Sequence, residues 1–261
     1  MFFCGLDIIK YFSIGIMLWN SVEARPQMNN HQARLYNHND NRTRLRILPL
    51  GDSITFGLGE ASGNSYRRDL ECMLFANGYA IQYIGTLSSG DWPDRKNDGF
   101  SGQRIAEIGA MAEVDLRGPL LPNVVLVHAG SNDINSDFEL EGAPGRVGEL
   151  VERIHSALPR ALIVVARIIG ETNEVFQKRI EVFNDGVQEV VEAKKNAGMP
   201  VRLVSMGAVD PVNDTIDGLH PNERGYTKMA VAWFGAIKDA DDEGLIMPVT
   251  GDFEDGGTFA C

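Results

Sequence analysis

Two runs of consecutive apolar, mostly β-branched residues, Val124-Val125-Leu126-Val127 and Leu162-Ile163-Val164-Val165, never alternate with polar positions. A strand with one buried face alternates, whereas a continuous run suits a strand covered on both faces, as in a parallel sheet. These runs extend to strand candidates at 123–129 and 161–168, and others lie at 45–50, 80–85 and 200–205. Longer amphipathic stretches fall between them, near 64–77, 103–113, 145–157, 173–196 and 222–239. Asn77-Gly78 and Ala197-Gly198 supply C-terminal stops for two of these helices. Strand and helix alternate throughout, so the economical architecture is an α/β fold. Five parallel strands would carry helices on both faces. In such a sheet, catalytic groups collect on loops at the carboxyl ends of the strands.

The 261-residue chain has room for one well-buried domain. Its formal net charge of −12, with no basic run, argues against nucleic acid or an anionic membrane as a partner. Near the N-terminus, Lys10 precedes a mostly apolar stretch from Tyr11 to Trp19, and Val22-Glu23-Ala24 resembles a small-residue cleavage site. Residues 1–24 therefore read as a signal peptide, too short in its apolar part for the roughly 20 residues of a membrane span. A secreted protein is expected. Residues 25–44 are polar and aperiodic and read as a lead-in, and 45–240 form the folded domain. The segment 241–261 has six acids, no Lys or Arg and several glycines, and reads as a disordered tail outside the core.

Cleavage near Ala24 would leave Cys72 and Cys261, which an oxidising compartment would allow to bridge. Two free or separately placed cysteines remain an equal alternative. Asn41-Arg42-Thr43 and Asn213-Asp214-Thr215 are N-glycosylation sequons, usable only with secretory machinery.

Three segments at the expected strand ends carry chemistry: Gly51-Asp52-Ser53-Ile54-Thr55, Gly130-Ser131-Asn132-Asp133 and Asp217-Gly218-Leu219-His220. A serine hydroxyl needs a base during attack. A loop between Gly51 and Gly57 could lift Ser53 into a cleft, with Asp52 and Thr55 bracing the turn through bonds to the backbone. Serine and aspartate there also suit a helix N-cap. His220 is the candidate base, with Asp217 three residues earlier to hold its tautomer. A tetrahedral intermediate needs donors aimed at its oxyanion. Asn132 offers an amide, and the backbone N–H groups of Ser53 and Gly102 offer two more. Gly102 lies in the helix-opening stretch Gly99-Phe100-Ser101-Gly102-Gln103. Asp133 suits a bracing role, and His128 reads as a buried, hydrogen-bonded strand residue.

Ser53, Gly102, Asn132 and His220, in that order, resemble the four blocks of the SGNH (GDSL-like) hydrolase superfamily, with Asp217 as the usual third triad member. The resemblance covers about residues 45–239. It implies a three-layer α/β/α flavodoxin-like fold, a serine-ester mechanism and no cofactor or metal. Gly63-Asn64-Ser65-Tyr66-Arg67, Gly99-Phe100-Ser101-Gly102, His128 to Asn135, and Leu219-His220-Pro221-Asn222 with Gly225-Tyr226 and Lys228-Met229-Ala230 look like acetylxylan esterases of carbohydrate esterase family three. Two stretches depart from that group, Trp92 to Asp98 and Ala129-Gly130-Ser131, both near the expected acyl pocket. The resemblance implies a monomeric secreted esterase acting on an acetylated polysaccharide such as xylan. A lipid or thioester hydrolase is the alternative within the same chemistry, and a silent wall-binding protein is the alternative without it.

Overall fold

A computed structural model of the protein describes residues 42–256 and Cys261. The expected signal peptide, and the lead-in up to residue 41, lie outside the described residues. Among the described residues seven strands occur: Thr43–Gly51 (β1), Tyr79–Tyr83 (β2), Leu87–Ser88 (β3), Lys96–Gly99 (β4), Val124–His128 (β5), Leu162–Arg167 (β6) and Val201–Ser205 (β7). The five expected strands are β2, β1, β5, β6 and β7, paired in that spatial order and all parallel. This is the doubly wound order of a flavodoxin-like fold. The sheet has two more strands than expected. The short β4 takes over from β2 beside the carboxyl end of β1, and β3 pairs antiparallel with β4. Lys96-Asn97-Asp98-Gly99 has no apolar pattern, so only its partner makes it a strand.

Helices Ser65–Ala76 (numbered α2, after the short Ser53–Phe56, α1) and Glu223–Asp242 (α8) cover one face. Ile105–Met111 (α3), Ala143–Ala157 (α6) and Glu174–Asn196 (α7) cover the other. Two further short helices are Glu113–Leu116 (α4) and Ser131–Asn135 (α5). Alternate strand residues feed opposite layers. Val124 and Leu126 join Tyr66, Leu70, Met229 and Trp233, while Val125 and Val127 join Ile108, Val151, Phe183 and Val187. Each fully buried aliphatic or aromatic side chain contributes about 1.5–3 kcal/mol, which is why unbroken apolar runs are stable here.

The segment after α8 is not the detached tail expected from its composition. Leu245 and Ile246 pack on the core. Asn123 Nδ2 donates to Met247 O at 2.7 Å, and Gly256 N–H donates to Ile81 O at 2.7 Å. Cys261 closes a disulfide with Cys72 on α2. The tail serves as a lid over the amino ends of β1 and β2, because Arg46 of β1 is fully buried there and needs acceptors. Its guanidinium donates to Gln82 Oε1 at 2.8 Å, Leu121 O at 3.2 Å, Thr250 O at 3.0 Å and Asp252 O. An acidic, glycine-bearing sequence can thus be ordered by what it covers.

Candidate active site

At the opposite end of the sheet, β1 delivers the chain into α1. Asp52 is the N-cap, its Oδ1 accepting from Ile54 N–H at 3.0 Å, and Gly57 ends the turn at φ +109°. Ser53 therefore opens the helix, where its N–H has no intrahelical acceptor. The expected backbone brace from Thr55 is absent; its hydroxyl instead meets Tyr66 Oη at 3.2 Å. A Cβ on Gly51 would stand 2.3 Å from His128 O, so only glycine allows the strand to turn so close to β5.

The loop before α8 supplies the base. Ser53 Oγ lies 3.0 Å from His220 Nε2, and His220 Nδ1 lies 2.7 Å from Asp217 Oδ2. Asp217 Oδ1 also accepts from the N–H groups of Leu219 at 3.0 Å and His220 at 2.7 Å. Burial would raise the Asp217 carboxyl, but the His220 side chain and these two N–H groups outweigh it and hold the carboxyl below the usual range. The loop is pinned by the fully buried Asp214, which pairs with Arg224 and Lys228 of α8 and accepts from Asp210 N–H at 2.7 Å.

Sheet register places the other two blocks around Ser53. Gly51 pairs with Gly99 on one side and with His128 on the other. The loops bearing Gly102 and Asn132 therefore leave the sheet on either side of the serine turn. Gly102 (φ +79°) and Asn132 line one groove of about 510 Å³, with Gln103, Arg104, Glu107 and Asn135. Asn132 Nδ2 donates to Gln103 O at 2.9 Å, which fixes the amide while leaving its second hydrogen to point elsewhere. Asp133 braces both loops, accepting from Ile105 N–H at 3.0 Å and pairing with Arg146 at 2.9 Å. All five sequence-predicted site residues thus come to one edge of the sheet.

Beneath the serine, the expectation for His128 needs correction. It is fully buried, yet neither ring nitrogen has a hydrogen-bond partner among the described residues. Asp52 Oδ2 and Ser131 Oγ are likewise buried, with the Ser131 hydroxyl facing the Asp52 carboxyl. Burial raises the Asp52 carboxyl, opposed by the charge of His128, the Ile54 N–H and Ser131. Burial lowers His128. Arg67 closes one of the stretches that carried the resemblance, but the sequence assigned it no role of its own. Fully buried, it ties together Phe56 O, Ser89 O and Arg95 O at 2.9–3.2 Å and stacks on Trp92, holding the loops behind the serine. Glu171 was also missed; its only sequence signal is a place just past a strand, at the carboxyl edge. Among the described residues no group of three or more His, Cys, Asp or Glu could hold a metal ion.

The profile of the GDSL-like Lipase/Acylhydrolase family matches residues 50–228, from the strand end before Ser53 into the helix after His220. The chain belongs to this family. Residues 50–228 are accordingly a domain of the esterase/acylhydrolase type. The chain is similar to a solved family 3 carbohydrate esterase of Clostridium thermocellum, with 28% identity over 78% of this chain and 100% of that one, at a TM-score of 0.67. It is 23% identical over 222 residues to a multidomain esterase of Ruminococcus flavefaciens, matching 74% of this chain but spanning 28% of that relative's length. A putative endoglucanase X of Acetivibrio thermocellus is 29% identical over 118 residues, 43% of this chain and 49% of that protein.

Proposed function

We propose that this hydrolase is a secreted O-acetyl esterase acting on an acetylated plant cell-wall polysaccharide, with xylan the leading substrate. The observation that carries the reading is the unbroken hydrogen-bonded chain Ser53–His220–Asp217 beside a groove lined by polar groups. Ser53 Oγ attacks the acetyl carbonyl carbon and its proton passes to His220 Nε2. Asp217 accepts the Nδ1–H, fixing the tautomer and stabilising the imidazolium. The N–H groups of Ser53 and Gly102 and the Asn132 amide receive the oxyanion, each donor worth about 3 kcal/mol of barrier. His220 then protonates the departing sugar oxygen, and water, activated by the same imidazole, releases acetate and restores Ser53. No step calls for a cofactor.

Similarity to the family 3 carbohydrate esterase supports the saccharide side of this reading. A groove containing Gln103, Arg104, Glu107 and Asn135 suits hydroxyl-rich groups better than a long acyl chain. Arg104 pairs with Glu107 at 2.8 Å, so the groove offers no isolated cation to an anionic substrate. The Cys72–Cys261 disulfide is in keeping with an oxidising compartment. The test is acetate release from acetylated xylan by wild type and by Ser53→Ala. Release by wild type alone supports mechanism and substrate class together. Equal release by both sinks the mechanism, and preference for octanoyl over acetyl esters moves the substrate to lipids.

A further inference from the structure

Gly102 belongs to a segment whose two ends meet. At its start, Asp98 is the third residue of β4 and fully buried. Its Oδ1 accepts from Thr86 N–H at 2.8 Å and from the Thr86 hydroxyl at 2.9 Å. Its Oδ2 is buried, with no N–H or hydroxyl donating to it among the described residues. At the far end, Asp115 of α4 has a buried Oδ2 in the same condition, and the two carboxyls face each other within hydrogen-bonding reach. A carboxylate only accepts, so two ionised ones cannot bond. One proton between them makes a strong O–H···O⁻ bond. From Asp98 the chain runs through Gly99, Gly102 and α3 to α4. The pair therefore closes a loop around the proposed oxyanion donor.

The surroundings do not neutralise this contact in any other way. Thr86, between β2 and β3, directs its N–H at Asp98 and toward Asp115. The charge of Lys96, an exposed residue of β4, reaches Asp115. Lys96 and Asp115 border a cavity of about 510 Å³, whose other charged groups are the acids Asp94, Glu254 and Asp255. Burial raises Asp98 against the pull of the Thr86 N–H, and the charge of Asp115 raises it further. Burial also raises Asp115, opposed by its bond to Asp98 and by Lys96. Two carboxyls in one site titrate as a pair, and the second proton leaves late. Stability from the shared proton is complete below the unfolded values near 4 and is lost as pH rises past neutrality. The rest of the segment is held by contacts that do not titrate. Phe100 N–H donates to Gly51 O at 2.8 Å, and Ile108 and Leu116 lie in the core.

We propose that Asp98 and Asp115 share one proton that staples this segment shut and positions Gly102 at the oxyanion, so that the esterase slows in alkaline solution. The inference rests on the serine-esterase reading above and on the place of Gly102 in it. Both aspartates are positioning residues, and neither touches substrate. A histidine base works in its neutral form, so the serine–histidine chain alone gives a rate that rises with pH and then stays level. The test follows kcat/KM for p-nitrophenyl acetate from about pH 6 to about pH 9, with Ser53→Ala as the blank, and the melting temperature over the same range. Wild type should lose about tenfold above neutrality, a fraction of the roughly hundredfold or more lost with a whole oxyanion donor. Asp115→Asn puts an amide N–H where the proton was. It should hold its rate to within about twofold and melt higher than wild type at the alkaline end only. Asp98→Asn, whose Oδ1 keeps both Thr86 bonds, should behave alike and replaces the first variant if that folds poorly. A wild type with no alkaline fall, or a fall that persists in both amide variants, overturns the proposal. A changed melting temperature with an unchanged rate profile also overturns it, since the pair would then hold the fold and not Gly102. Wild type no faster than Ser53→Ala at any pH would instead defeat the esterase reading, and this proposal with it.

Discussion

Arg46 at the amino end of β1 and His128 at the carboxyl end of β5 are both polar residues on central strands, both 0% exposed, and treated in opposite ways. Arg46 reaches four acceptors, two of them supplied by the C-terminal tail. His128 reaches none, although the charge of Asp52 stands beside it. At the amino end the buried guanidinium is satisfied from within the chain. At the carboxyl end the buried imidazole beneath the serine is left without a partner among the described residues. The amino end is a sealed joint and the carboxyl end an unfinished one.

The largest break in this comparison should come from the carboxyl end, in rate and not in stability. His220→Ala should lower kcat by about 10⁴-fold or more while leaving the melting temperature near that of wild type. Asp217→Asn should cost less, because the imidazole that takes the serine proton remains. An amide whose oxygen stays on the His220 and Leu219 N–H groups nevertheless turns its NH2 toward Nδ1 and favours the wrong tautomer. Equal, complete losses would refute the ranking. At the amino end the pattern should invert. Arg46→Met would strand several carbonyl acceptors and should destabilise by about 3–5 kcal/mol in chemical denaturation, with specific activity of the folded fraction retained. Cys72→Ser releases the tail's covalent anchor and should cost about 2–4 kcal/mol by the same measurement.

A pH series sharpens the contrast further. Burial pushes Glu71 up to about 8, and Asp94 and Asp98 up to about 7. Carboxyls raised in the folded state contribute stability that is complete below their unfolded values near 4 and lost as pH climbs through 7–8. The melting temperature should therefore fall between pH 5 and pH 8.5. Asp214 acts in the other direction. Burial would raise it, but Lys228, the Asp210 N–H and Arg224 bring it to about 2. Its contribution is present above about 4 and disappears as pH drops toward 2. The smallest effect belongs to His128→Leu. With no partner bond to lose, it should change stability by less than about 1 kcal/mol. A large loss would show that His128 is held after all, and the two ends would no longer differ.

The sequence by itself determined whatever is written in consecutive residues. Continuous apolar runs marked β5 and β6, since burial of both faces follows from composition alone. The serine turn and the Asp217–His220 spacing were legible because each is closed by bonds spanning three residues or fewer. Gly102 and Asn132 emerged from the order of the blocks, although neither segment points to the other in isolation. Tertiary structure alone decided the rest, because distant partners create it. Lys96–Gly99 becomes a strand only beside Gly51, and Cys261 finds Cys72 across 189 residues. The acidic tail is ordered by a buried arginine some 200 positions away, 204 in the case of Thr250. Glu171 comes beside the Asp217–His220 loop only because Thr172 meets Gly218, a contact of packing that no local pattern of residues encodes.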